Sequence, residues 1–319
     1  MMPIRKMLLL GFLLGFTAYS SAANWQEGEI IKVTLGQLNP TQSVVAHDQI
    51  AYKLAHYRTD SKALYADLCE TAGLGQVHAF TANSSPKSSA SYQCEQSQPT
   101  KQSLKYINTV VLGPDQQLYL TDGHHTFSAF FDMPDGGADL TVYVQLQKIY
   151  RTTEPANFWQ QMQQDGNTWL FDAEGQPISY QALPKQLGRQ HLQNDPYRAA
   201  LFFLRGSAWQ KPNPAIPFVE FYWAQYLRAQ PHLRFLGYYS AAEYLQWLER
   251  INQHLASLSP DTILHGTFSA KALGLKTDKD LSHTLGLLCK REAAAVSFGR
   301  LGLALQERGM PVHCDSKQY

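Results

Sequence analysis

The residues with the most chemical content in this chain stand side by side: Thr121-Asp122-Gly123-His124-His125-Thr126. Imidazoles donate and accept protons near neutral pH and bind metals. A neighbouring carboxylate can orient an imidazole or share a metal ion. Asp122-Gly123 is a turn signal, because glycine enters backbone angles closed to other residues. Upstream, Leu118-Tyr119-Leu120-Thr121 has the composition of a half-buried strand. Downstream, Phe127, Phe130 and Phe131 recur at helical spacing. The chemistry-bearing residues therefore fall where a strand hands over to a helix, and unpaired amides at a helix N-terminus favour an anion. The plainer alternative is that Asp122 and Thr126 cap the turn while the histidines make structural hydrogen bonds.

The elements that must position this turn are partly legible. Ile30 to Leu35 reads as a first strand, and Pro40-Thr41-Gln42 turns the chain. Val44, Ile50, Leu54 and Tyr57 follow near-helical spacing on a segment that also carries His47, Asp48, Lys53 and Arg58. Tyr106–Leu112 and Gln117–Thr121 flank the turn Gly113-Pro114-Asp115 and predict a hairpin feeding the motif. Leu140 to Ile149 alternates and closes a sheet. Ala79 to Ser103, rich in Ser, Gln and Thr, reads as a surface loop, with a lid over the site as the alternative.

From Arg151 the texture becomes helical. Phe158, Trp159 and Met162 suggest one helix, and Trp169 to Gly175 a short strand and turn. Asp195 with Pro196 predicts a capped helix through Phe203. Phe218 to Leu227 is strongly aromatic. Two further stripes run through Tyr244, Trp247, Leu248, Ile251, Leu255 and Leu258, and through Leu287, Leu288, Ala294, Val296 and Leu301. Arg198 either forms a buried ion pair with Glu220 or Asp195 or reaches the pocket. Tyr197, Phe203 and Trp223 need burial, so the two halves are expected to share a core.

Residues 1–23 have the order of a secretory signal: Arg5 and Lys6, an apolar run Met7–Phe16 too short for a comfortable membrane span, then Ser20-Ser21-Ala22-Ala23. No second long apolar stretch follows, so no transmembrane segment is expected after signal cleavage, and the location implied is periplasmic or secreted. The formal charge of +1 argues against a dedicated nucleic-acid coat and leaves room for an enzyme that touches a few phosphates. Four cysteines in an exported chain favour disulfides. Of the three pairings, Cys69–Cys94 and Cys289–Cys314 are preferred, because each closes a polar, turn-rich stretch. With no Cys-x-x-Cys, a zinc site is disfavoured.

Asp-Gly-His-His after a strand and opening a helix resembles the core motif of the ParB/sulfiredoxin superfamily. Val33 to Gln42 is similar to that superfamily's opening strand and Pro-containing turn. Asp195-Pro196-Tyr197-Arg198 and Glu220-Phe221-Tyr222-Trp223 look like its exported ParB-like nuclease branch. The resemblance implies an α+β fold: a small mixed sheet with helices over residues 24–150, then a mainly helical region, 151–319, packed on it. It also implies a phosphate-containing or other anionic ligand at the turn, with nucleic acid as a candidate substrate. Gln42, His47 and Lys53 become candidates because the superfamily's first helix lies beside the turn. Many relatives follow the histidine pair with Arg where this chain has Thr126, and Arg198 could supply that contact.

The chemistry expected on this basis is phosphodiester hydrolysis. One of His124 and His125 serves as general base or binds a divalent metal ion that activates water. The other, with the turn amides, steadies the phosphate charge, and Asp122 orients an imidazole or binds the metal. Thr121, Gly123, Thr126, Gln42, Lys53 and Arg198 complete the expected ligand contacts. Two other classes stay open: a module that binds an anion, nucleotide or cell-wall fragment without turnover, and an envelope glycan or peptide hydrolase using Asp122 and Glu220.

Overall fold

A computed structural model describes residues 25–152, 154–276, 288 and 298–312. The expected signal segment and the pair Cys289–Cys314 lie outside the described residues, as does most of the stripe from Leu287 to Val296.

Alternation makes the sheet. Strand β1, Ile30–Thr34, buries Ile31 and Val33. Short strands β2, Leu38–Pro40, and β3, Val44–Val45, lead into helix α1, His47–Thr59, and then α2, Ser61–Thr71. Strands β4, Val77–Ala79, and β5, Gln93–Cys94, bracket the polar excursion. Strand β6, Thr109–Leu112, and β7, Leu118–Leu120, form the expected antiparallel hairpin. Helix α3, His124–Asp132, follows at once, and β8, Thr141–Ile149, is the longest strand. The five-stranded order is β1-β8-β6-β7-β2. It is mixed: β8 runs antiparallel to β1 but parallel to β6, and β2 runs parallel to β7.

The strand expected from Tyr106 begins only at Thr109, and Leu104–Tyr106 is a 3-10 turn instead. A strand exists only where neighbours offer backbone partners, and β7 and β8 do so from Thr109 onward. Cys69 of α2 is disulfide-bonded to Cys94 of β5, with a Cα–Cα distance of 5.6 Å. The excursion it ties lies against Lys32, Thr141 and Tyr143 of β1 and β8, away from the Asp-Gly-His-His turn. It is a surface loop and not a lid over that turn.

One sheet face buries Val33, Leu120 and Val144 against Ile50 and Leu54 of α1 and Phe127 and Phe130 of α3. On the other face, Val111 and Tyr119 meet Phe158, Trp159 and Met162 of α4, Pro155–Gln164. Beyond β9, Gln193–Asn194, the chain is mainly helical: α5, Pro196–Phe203, α6, Val219–Arg228, α7, Ala241–Ser257, and α8, Arg300–Glu307. The pair β10, Ile263–His265, and β11, Phe268–Ser269, is a small ribbon. Asp195 caps α5, accepting from the amides of Tyr197 and Arg198.

The later helices are built onto the sheet region. Strand β3 pairs in parallel with β9. Ala51 of α1 belongs to the same buried cluster as Tyr197, Phe203 and Trp223. Asp48, an acid in the first turn of α1, is buried and accepts hydrogen bonds from Tyr238, Tyr244 and Arg308. Such a charge is tolerated in the interior only when it is fully partnered. Among the described residues, no helix is long and apolar enough to cross a membrane.

Candidate functional site

The turn between β7 and α3 depends on Gly123. Its φ of +90° lies in the left-handed region, and a Cβ there would stand 2.3 Å from Asn108 Cγ. Among the described residues, no side chain caps α3. The amides of His124, His125 and Thr126 have no acceptor among the described residues. Asp122, exposed at the mouth, accepts from the Gly123 amide at 2.7 Å.

The histidines do something the spacing did not reveal. Thr41 N–H donates to His124 Nε2 at 3.1 Å, and Ala46 N–H donates to His125 Nε2 at 2.9 Å. The two rings thereby hold the ends of the β2–α1 connection, and His125 satisfies the backbone where α1 begins without a side-chain cap. With Nε2 accepting, a neutral imidazole carries its proton on Nδ1, which leaves each ring with a donor and not a free base. Burial drives the His124 pKa down to about 3. Burial, then the positive charge of Arg198, hold His125 well below its ordinary value, although it keeps some contact with the cavity.

These residues line a cavity of about 450 Å³ whose other wall comes from the second half of the chain. Glu220, in the first turn of α6, is buried there. Its Oε1 lies 3.5 Å from Arg198 Nη2, 2.6 Å from Arg205 Nη2 and 3.5 Å from Lys211 Nζ. Burial alone would raise the Glu220 carboxyl, but Arg198, Lys211 and Arg205 outweigh it and hold the pKa at about 2. Three cations thus meet one carboxylate at this end of the cavity, which Asp122 and the Lys148-paired Asp165 also line. Arg198 is itself buried, donates to Gln49 Oε1 at 3.0 Å, and keeps an Nε with no partner among the described residues. A buried, unsatisfied guanidinium donor beside a cavity calls for an acceptor.

Of the residues expected from the sequence, Thr121, Asp122, Gly123, His124, His125, Thr126, Gln42 and Arg198 all line this cavity. Gln42 is turned back on its own segment and donates to the Val44 carbonyl. Lys53 does not reach the cavity: its ammonium pairs with Asp67 of α2 and lies 5.9 Å from the Tyr57 ring centre. Helical rotation places it on the α1 face that meets α2. His47 does not line this cavity either, and its Nε2 is bonded to the Leu192 carbonyl at 2.7 Å. Arg205, Lys211, Asn108 and Phe218 were not foreseen. A cation in a loop has no periodic signature, and the only local signal is the proline-rich run 212–217.

Among the described residues, no group of three or more His, Cys, Asp or Glu side chains is placed to hold a metal ion. Asp122 does not form such a cage with the histidines, whose Nε2 atoms are already engaged.

Comparison with known proteins gives two likenesses. A crystal structure of protein Atu1540 from Agrobacterium tumefaciens is similar at 20% identity, with a TM-score of 0.49, covering 76% of this chain and 98% of that one. No curated protein matches. A family model described as "Putative ParB-like nuclease" matches residues 31–229, a span that takes in the turn, Arg198 and Glu220. With well over half of its length matched, the chain belongs to the ParB-like nuclease family.

Proposed function

We propose that the cavity binds a phosphate ester and that the protein hydrolyses a phosphodiester there. The observation that carries the reading is the convergence of Arg198, Arg205 and Lys211 on the same cavity as the uncapped N-terminus of α3. Amides and fixed cations in a partly desolvated site stabilise the charge that builds on a phosphate in its transition state. The Nδ1–H of His125 donates to a phosphate oxygen. Asp122, which forms no ion pair among the described residues, takes the proton of the attacking water. The water oxygen bonds to phosphorus, the ester P–O bond breaks, and the leaving alkoxide takes a proton from solvent.

A second reading has its own support. Both histidines are held neutral with Nε2 occupied by backbone amides, an arrangement suited to holding an anion without turnover. Hydrolysis of DNA, RNA and a small phosphodiester, measured with and without divalent metal, separates the two. We expect turnover by the wild type and a loss of about 10²–10⁴ in Asp122→Asn. Phosphate binding by calorimetry with no turnover on any substrate would favour the binding module. Release of cell-wall fragments would favour an envelope hydrolase.

The reading includes export. The basic, apolar, small-residue order of residues 1–23 and the Cys69–Cys94 disulfide both support an oxidising compartment. Intact mass of the periplasmic fraction is expected to show a chain beginning near Asn24; a full-length cytoplasmic product would overturn this.

A further inference from the structure

We propose that Phe218 forms a stacking subsite for one unpaired nucleobase, so that the cavity accepts a single nucleoside phosphate and excludes paired duplex. The inference rests on the phosphate reading above and specifies its substrate.

Three observations lead to it. First, an aromatic run ends in the cavity. Trp169 stacks on Phe221 with ring centres 5.4 Å apart and an interplanar angle of 24°, and Phe218 lies 5.9 Å from Trp169 and 6.2 Å from Phe221. Trp169 and Phe221 are buried, whereas Phe218 is partly exposed and lines the cavity two residues before Glu220. An aromatic face beside a cluster of cations is the pairing that holds a base next to its phosphate, and stacking serves any base. Arg198 lies over the Phe221 ring at 5.8 Å, so the cationic and aromatic walls are continuous.

Second, Phe218 is held in a conformation that a bulky residue seldom adopts, with φ +56° and ψ +19°. Such strain persists where the surroundings impose it, often around ligands. Third, the remaining polar wall offers a free donor: Asn108 Nδ2 is buried without a partner among the described residues and borders the cavity. A base edge or sugar oxygen would satisfy it.

Size decides between single and paired strands. The volume of about 450 Å³ is that of a small-molecule pocket. It holds one nucleotide, and the run Ala215-Ile216-Pro217 walls it on one side. A duplex would have to unpair and extrude a nucleotide to enter.

The experiment is equilibrium competition binding with inorganic phosphate, a nucleoside monophosphate, a short 5′-phosphorylated single strand and the blunt duplex of the same sequence. The nucleotide and the single strand are expected to bind about tenfold or more tighter than inorganic phosphate, and the duplex to compete poorly. Phe218→Ala should erase that advantage while leaving inorganic phosphate binding unchanged. Phe218→Leu keeps apolar volume without a ring and serves as the second variant should the alanine chain fold poorly. Phe218→Trp should keep the advantage. A duplex that competes as well as the single strand, or a Phe218→Leu protein with the full nucleotide advantage, overturns the subsite. If phosphate binds without any nucleotide advantage, the subsite alone falls. If neither phosphate nor nucleotide binds, the phosphate reading falls and takes the subsite with it.

Discussion

Glu220→Ala is expected to lower stability by about 3–5 kcal/mol at low ionic strength, the usual cost of removing one partner from a buried charge cluster. Arg198, Arg205 and Lys211 all lean on the lost oxygen, and Arg198 is buried. The diagnostic part is rescue. If the cavity is built for an anion, inorganic phosphate should take the place of the carboxylate and raise the melting temperature of the variant more than that of the wild type, by mass action on the folded state. Thermal unfolding of both proteins in phosphate, against chloride at matched ionic strength, reads this directly. A variant that melts with the wild type would show that the cations do not need Glu220. A phosphate effect no larger than that of chloride would remove the main support for an anion pocket.

The second large effect concerns acid. An ordinary histidine titrates near 6.5, whereas His124 in the folded chain titrates at about 3 because burial disfavours its charged form. Between these values the unfolded chain binds a proton that the folded chain refuses. Stability from this group is therefore complete above pH 6.5 and is lost as pH falls toward about 3, on the order of 1.4 kcal/mol per pH unit. His125, shifted in the same direction by burial and by Arg198, adds to the loss. His124→Ala should cost about 1–3 kcal/mol at neutral pH, since the Thr41 amide then has no acceptor. It should also flatten the acid limb of the stability curve. Urea unfolding from pH 4 to 8 tests both, with His78→Ala, an exposed histidine on β4, as the control. An unchanged acid slope in His124→Ala would mean that the ring is not held neutral by the fold.

These outcomes bear on what the histidine pair is for. The resemblance implies that one imidazole of the pair is a general base or a metal ligand and that the other, with the turn amides, steadies the phosphate charge. The structure turns both Nε2 atoms onto backbone amides of the β2–α1 connection. That leaves the Nδ1 protons and the α3 amides as donors, which suits holding a phosphate better than deprotonating water. The proton acceptor in the proposed hydrolysis is accordingly Asp122.

Much of the fold was legible because its causes are local. The alternation of Thr141–Ile149 makes β8, Gly113-Pro114-Asp115 turns the β6–β7 hairpin, and Asp195-Pro196 starts α5 at the expected residue. The same locality put Asp122, Gly123, His124 and His125 at a strand-to-helix junction, since the left-handed turn there admits little but glycine. What the sequence could not hold is direction and partnership. Lys53 sits on α1 as its spacing required, yet rotation about the helix and the position of Asp67 on α2 send it away from the cavity. Arg205 and Lys211 come from irregular chain, so no periodicity marks them, and only the docking of α5 and α6 against the turn gathers them around Glu220. The turn, the sheet and the residue types available for chemistry follow from local sequence, because backbone sterics and side-chain alternation act over a few residues. Packing between distant segments sets which nitrogen of each imidazole a backbone amide engages and which cations share the cavity, because burial and Coulomb attraction depend on distance through space and not along the chain.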